Sequence, residues 1–579
     1  MLIKTPIYRI ILRMEMCCMI DYKGNPFFLN DQQINWVMNT FSSMTTEEKI
    51  GQLFCPISYS SDPGYLSGAL LRHKIGGMLF KTSPSAEVRA AHAFANANSR
   101  IPLLFAANLE FGTTGFLEDG TFFGQQMGIG ATDDTEQAYR MGYVSTKEAA
   151  SVGCNFAFAP VSDIDLNWRN PIVNVRSYGN DADKVLAFCK AYKRAADDNN
   201  VAISVKHFPG DGVDEVDQHL LTSVNTTTCE EWDSTYGKIY RGMINDGAKS
   251  FMIGHIDHPA WRKRLNPDAV DGIVPASLSR ELMTGLLREY LGFNGLIITD
   301  ATPMVGYTSA MDRATAVPTT VMCGADMFLF NRDLEEDIGF MTAGLKNGLL
   351  TEERLNEAVL RILAFKASLG LADKAKEMLL PPESEMSCIG CEQFHVWARE
   401  LADKAITLVK DTQRNLPMDP EKTPRLLLEL LGNYPSEKHI AEYMYKKLSD
   451  EGFTVTLYKP ETFQELDNHV KKFHEKYDAV LYLANVENAS NKTTNRINWF
   501  TFWGSGNNVP WMVNEVPVYF VSLANPYHLV DVPMMKTYIN CYSNNDETLD
   551  ALIEKLMGRD DFVGISPVDP FCGKEYLRY

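Results

Sequence analysis

Positive charge is scarce in this chain of 579 residues: 55 Lys and Arg face 74 Asp and Glu, for a formal net charge of −19. A surface short of cations excludes general affinity for nucleic acid or anionic membrane, since both need a basic face. No apolar stretch approaches the length of a membrane span. A signal-type start is also missing, because Lys4, Arg9, Arg13 and Glu15 break up the first apolar residues and no small-residue cleavage site follows. Met16 and Met19 offer alternative starts, with the folded chain expected from near Asp21. The eleven cysteines show no disulfide framework, and Cys55, Cys154, Cys189 and Cys323 lie inside apolar runs, as reduced core thiols do. Only Cys388-Ile-Gly-Cys391 has ligand-like spacing; without a second pair or a neighbouring histidine, no structural metal is expected. A G-x-G-x-x-G after a strand-like run is absent too, so nothing calls for a nucleotide or other cofactor. These absences together predict a cytoplasmic protein.

What is present is a balanced globular composition, 45% apolar and 22% charged, at a length that predicts more than one domain. Eight short apolar runs recur along the first part: Leu53-Phe54-Cys55, Gly77 to Phe80, Leu103 to Ala107, Phe156 to Pro160, Ala202 to His207, Phe251 to His255, Leu296 to Asp300 and Met327 to Phe330. Helical periodicity fills the intervals, and eightfold β/α alternation predicts a closed (β/α)8 barrel. Polar residues gather at the run ends: Asn108 and Glu110, Asp163 and Asp165, Lys206 and His207, His255, and Asp300. That is the rim on which barrels of this kind build sites. A Lys-, Glu- and Pro-rich stretch from Asp373 to Glu385 reads as a linker, and a helix is expected from Val396 to Val409. Five strand-like runs then follow: Arg425 to Leu431, Thr454 to Tyr458, Ala479 to Ala484, Val516 to Leu523 and Thr537 to Asn540. They predict a smaller, open α/β sandwich. The expected division is therefore an α/β chain with a lead-in over 1–43, a barrel over 44–370, a linker over 371–395 and a C-terminal α/β domain over 396–579.

The most informative stretch is Val205-Lys-His-Phe-Pro-Gly-Asp-Gly212, with Asp217-Gln-His219 beyond it. It starts at a strand end and enters a loop that two glycines make flexible. An aspartate accepting from one imidazole nitrogen fixes the tautomer and leaves the other nitrogen for proton transfer. The Lys-His-Phe-Pro-Gly-x-Gly motif with Asp-x-His resembles the signature of the N-acetylglucosaminidases of glycoside hydrolase family 3. Other pieces fall in that family's order: Met44 to Phe54 resembles its opening helix, Asn170-Pro171 to Arg176-Ser-Tyr-Gly179 its arginine segment, and Leu296-Ile-Ile-Thr-Asp300 its nucleophile strand.

The resemblance implies a retaining exo-β-N-acetylhexosaminidase. Asp300 would be the nucleophile, His219 the acid/base and Asp217 its orienting partner, with Lys206, His207, Arg176 and Asn108 binding the sugar. It implies a small oligosaccharide or glycoside substrate, no metal and no cofactor, with a homodimer as an option. Two departures touch the outer loops: Asp211 stands where the cell-wall-recycling members carry histidine, and Asn108-Leu-Glu110-Phe111 replaces an acidic run. They speak against a muropeptide substrate. Three other readings compete: a phosphorylase, whose neutral imidazole would not repel phosphate; a metal-dependent barrel using His207, His255 and Asp300; and a non-catalytic sugar-binding protein. In the second unit, the Asn-rich segment Asn488 to Asn495 and the tryptophans Trp499 and Trp503 are expected at a carboxyl edge of the sheet. From there they would either pack or reach a barrel rim, in the same chain or a partner's, and shape the leaving-group subsite.

Overall fold

The computed structural model describes residues 20–375, 378–432, 436–459, 469–499, 501–502, 505–506 and 508–579. The first part of the lead-in, up to residue 19, and Trp503 lie outside the described residues. Seven parallel strands form one curled sheet: β1 (Ile57–Ser58), β2 (Gly77–Phe80), β3 (Leu104–Ala107), β4 (Phe156–Ala157), β5 (Ala202–Phe208), β6 (Ser250–Ile253) and β7 (Leu296–Thr299). The first and last expected runs enter as single bridges rather than ladders, Phe54 with Phe328 and Ile298 with Met327. The Phe328 amide donates to Leu53 O at 2.7 Å and the Thr299 amide to Met327 O at 3.1 Å, which closes the sheet into a barrel. Strands β2, β3, β6 and β7 are buried at every position. Continuous apolar runs are what a parallel sheet covered on both faces requires.

The C-terminal sheet has six strands where five were expected. The helix placed at Val396 to Val409 instead runs Glu392–Ala405 and is followed by an added edge strand, β8 (Thr407–Asp411). Thr407 and Leu408 pair antiparallel with the last strand (Leu408 with Ile539) and Val409 sits at the register shift that follows, a long-range pairing that helical periodicity does not reveal. The others are β9 (Arg425–Gly432), β10 (Thr454–Leu457), β11 (Ala479–Asn485), β12 (Val518–Ser522) and β13 (Thr537–Asn540), in the order β8-β13-β12-β11-β9-β10. Side chains alternate between its two faces with the strand period of two. Leu426, Leu428, Leu481 and Leu483 pack on the side of helices Ser436–Asp450 and Asp546–Leu556, while Leu427, Val480 and Tyr482 pack opposite. Strands β10 and β11 lie on opposite sides of β9, so the order reverses there. Loops leaving the carboxyl ends at such a switch point are where open α/β sheets bind or contact ligands.

The two sheets are joined by a buried seam of Met127, Ala131, Val175, Ala405, Tyr527 and Tyr542. Across it the Tyr527 hydroxyl donates to Asp165 Oδ2 at 2.6 Å.

Candidate active site

The motif loop after β5 follows a path that only glycine permits. Gly210 has φ +114° and Gly212 φ +99°, and a Cβ on Gly212 would meet the Ile164 carbonyl oxygen at 2.0 Å. Folded this way, the loop returns Asp217 and His219 to the rim. Asp217 Oδ1 accepts from Nδ1 of His219 at 2.7 Å and from its backbone amide at 2.9 Å. Since the carboxylate only accepts, Nδ1 carries the proton and Nε2 is left for exchange.

Asp300 follows β7 and accepts from the Ala301 amide at 2.7 Å. Burial pushes its carboxyl upward, but the imidazoles of His207, His255 and His219 and that amide more than offset it and hold the group below the usual carboxylate range. Asp300 is therefore kept ionised, the form in which a carboxylate can attack an electrophile. Nε2 of His207 lies 3.7 Å from Asp300 Oδ2, too far for a direct hydrogen bond, while its Nδ1 is 2.6 Å from Asp163 Oδ2. Lys206 and Arg176 converge on one buried carboxylate, Glu110. Lys206 Nζ is 2.5 Å from Oε1, and Arg176 donates at 2.8 and 3.0 Å in a fork. Burial raises the Glu110 carboxyl, yet the two cations overcome it and leave the group well below its ordinary value. Arg176 is in turn held above its ordinary value, burial notwithstanding, by Glu110 and the fields of Asp163 and Asp300.

The structure thus brings Asp300, His207, Asp163, Lys206, Arg176 and Glu110 into one connected cluster, with the Asp217–His219 pair beside it. Asn108 is not tied to it: it is exposed at the end of β3, and its side chain makes no hydrogen bond among the described residues. Glu110 and Asp163, recognised beforehand only as run-end polar residues, are the acceptors that orient the cluster. Their charge at the end of an apolar run was the available signal.

His255 was left out of the expected site, and it stands against it. Its Nε2 lies 3.0 Å from the Ala301 carbonyl, which can only accept, so Nε2 carries the proton and Nδ1 takes the Ser277 hydroxyl at 2.8 Å. With both nitrogens engaged, His255 has no lone pair for a metal. Among the described residues no group of three or more His, Cys, Asp or Glu is arranged to hold one. His258 instead caps helix Pro259–Leu265 through the Trp261 amide.

The Asn-rich loop after β11 does cross to the barrel rim, in the same chain. Asn488 Nδ2 donates to Ile172 O at 3.0 Å and Asn495 Nδ2 to Pro171 O at 2.8 Å. Between them, Ser490 Oγ sits 3.0 Å from Nε2 of His219, and the Asn491 amide donates to Asp217 Oδ2 at 2.8 Å. Trp499 does not join them; it packs against the core around Leu427 and Tyr482.

A closed parallel barrel with a buried charged cluster and an Asp–His pair on its carboxyl rim has the architecture on which barrel enzymes build their sites. Residues 45–365 match the family model described as the glycosyl hydrolase family 3 N-terminal domain, and the chain belongs to glycoside hydrolase family 3. It is 43% identical over 564 residues to a β-N-acetylglucosaminidase/β-glucosidase of Cellulomonas fimi, covering 96% of this chain and 99% of the relative. Among solved structures it is similar to β-glucoside phosphorylase BglX bound to 2FGlc, with 43% identity, a TM-score of 0.90, and 95% and 99% of the two chains covered. A family 3 β-N-acetylglucosaminidase from Paenibacillus sp. str. FPU-7 shares the fold, with a TM-score of 0.74 at 22% identity over 91% and 99% of the chains. Among the described residues no helix is long and apolar enough to cross a membrane.

Proposed function

We propose that this glycoside hydrolase removes terminal β-linked N-acetylhexosamine or glucose units with retention of configuration. The observation that carries the reading is the 2.7 Å Asp217–His219 pair on the same rim as an Asp300 held ionised by imidazoles. In the first half-reaction Asp300 attacks the anomeric carbon. The glycosidic C–O bond breaks, and Nε2–H of His219 gives its proton to the leaving oxygen. In the second, the now neutral imidazole takes the proton of the acceptor, whose oxygen displaces Asp300. Asp217 supports the imidazolium that precedes the first step and keeps Nδ1 protonated throughout. Lys206, Arg176 and His207, oriented by Glu110 and Asp163, donate to sugar hydroxyls and to the ring substituents of the bound unit; Asn108 contacts the same sugar from the end of β3. The 43% identical β-N-acetylglucosaminidase/β-glucosidase supports both sugar types as substrates. Aryl β-glycosides differing only at carbons 2 and 4 test this reading, and turnover of none of them would sink it.

A second reading concerns the acceptor. Once the leaving group has departed, the acid/base is a neutral ring, which repels phosphate less than a carboxylate base would. The 43% identical β-glucoside phosphorylase favours phosphate as the acceptor. Product analysis decides it: sugar 1-phosphate accumulating in phosphate buffer supports phosphorolysis, and free sugar at an unchanged rate supports hydrolysis.

A further inference from the structure

Asp217 is held by three donors, and one of them does not come from the barrel. His219 supplies its own Nδ1–H and its backbone amide to Oδ1, while Oδ2 accepts the backbone amide of Asn491, 274 positions away on the loop after β11. Asn491 adopts φ +68°, the left-handed region that a non-glycine residue enters at a cost, and this conformation turns its N–H toward the barrel. Its side chain is exposed and makes no hydrogen bond among the described residues, so the contact is purely backbone. Asn488 and Asn495 pin the loop on either side of it to the carbonyls of Ile172 and Pro171. Ser490 completes the arrangement by filling the Nε2 direction of His219. A hydroxyl can donate to the neutral ring and accept from the protonated one, so this contact is compatible with both states. A leaving oxygen needs that same in-plane direction at Nε2, so Ser490 gives way when substrate binds. The Asn491–Asp217 bond has no such competitor and persists through both half-reactions.

We propose that Asn491 is a positioning residue for the acid/base, so that leaving-group protonation depends on a loop supplied by the C-terminal sheet. The inference rests on the Asp217–His219 assignment above. With the amide in place both carboxylate oxygens are engaged, and the imidazole plane is fixed relative to Asp300. Without it Oδ2 has no donor and Asp217 is held through Oδ1 alone, which loosens the aim of the ring at the leaving oxygen.

Because the contact is carried by backbone, the test is conformational. Asn491→Val places a β-branched residue where φ is positive and displaces the amide, whereas Asn491→Gly takes that φ readily. Paired kinetics on an alkyl β-glycoside, whose leaving group needs a proton, and a dinitrophenyl β-glycoside, which does not, give the readout. Asn491→Val is expected to lower kcat/KM, which reports the first half-reaction, about tenfold on the alkyl substrate and less than about twofold on the dinitrophenyl substrate. Asn491→Gly should restore most of the loss. Asn488→Ala, which loosens one anchor and leaves the barrel core untouched, should give a smaller loss of the same pattern. Equal losses on both substrates, or no loss on either, would overturn the proposal. His219→Ala measured in parallel separates the two levels of inference: if it too lacks leaving-group dependence, the acid/base assignment fails. If it alone shows the dependence, only the role of Asn491 fails.

Discussion

Glu110→Gln removes one charge and almost no volume from a place where a single carboxylate neutralises the buried Lys206 and the part-buried Arg176. Lys206 Nζ and both Arg176 donors lie within 3.0 Å of it, and Glu110 and Lys206 are nine-tenths or more buried. Breaking a buried ion pair by deleting one partner costs about 3–5 kcal/mol, because the other charge is left uncompensated. Arg176 still feels Asp163 and Asp300, which places the expected cost near the lower end, at ~3 kcal/mol. That is roughly a hundredfold in the folding equilibrium of the barrel. Urea unfolding followed by tryptophan fluorescence reads it as a lower midpoint at an unchanged slope. The pH dependence supplies a second check. The folded carboxyl is depressed below its unfolded value, so its stabilisation is complete above an unfolded pKa of about 4.3 and is lost as pH falls through the folded value. The gap between parent and variant should therefore be full at pH 7 and start to narrow only below about pH 4. Adding Lys206→Met should recover part of the loss, since the pair shares one interaction. A gap under about 1 kcal/mol at pH 7, the size of an ordinary surface change, would refute the reasoning.

Asp300→Asn should keep the fold and lose more than about a thousandfold in kcat, because an amide forms no glycosyl-enzyme; activity within tenfold of the parent would remove the nucleophile assignment. His219→Ala should lose far more kcat/KM on alkyl than on dinitrophenyl glycosides, with Asp217→Asn a milder version through the wrong tautomer, and a comparison of kcat/KM on the two substrates checks both. Asp211 is buried beside Asp163, and burial first, then that neighbour's charge, raises its carboxyl above the ordinary range. A folded value raised above the unfolded one means that ionisation costs stability as pH rises, so Asp211→Asn should stabilise the protein more at pH 8 than at pH 5 in thermal melts. The same gain at both pH values would show that Asp211 is not strained by its charge.

Much of this architecture is legible in the sequence because its signals are local. The apolar runs and their spacing predict the barrel, and seven of the eight run positions carry or flank the strands observed. Where the chain closes the ring, at Phe54 and Phe328, only single bridges form, which a run of apolar letters cannot distinguish from a full strand. Leu408 and Val409 read as the end of a helix because an edge strand is defined by its partner, and theirs lies more than a hundred residues away. The same division holds at the site. Lys206, His207, Asp217, His219 and Asp300 stand in motifs short enough to be recognised, since strand end and glycine loop place them by local geometry. Glu110 and Asp163 matter through what converges on them, and the shared carboxylate of Lys206 and Arg176 exists only once β3, β5 and the Arg176 segment are side by side. Sequence alone also left open whether the loop after β11 packs or reaches a rim. Its anchors are the side chains of Asn488 and Asn495, but their acceptors are the backbone carbonyls of Ile172 and Pro171, and its shortest contact with the Asp217–His219 pair is a backbone amide. The backbone partners in those bonds carry no side-chain signature, so only the tertiary arrangement of the two sheets could decide where the loop docks.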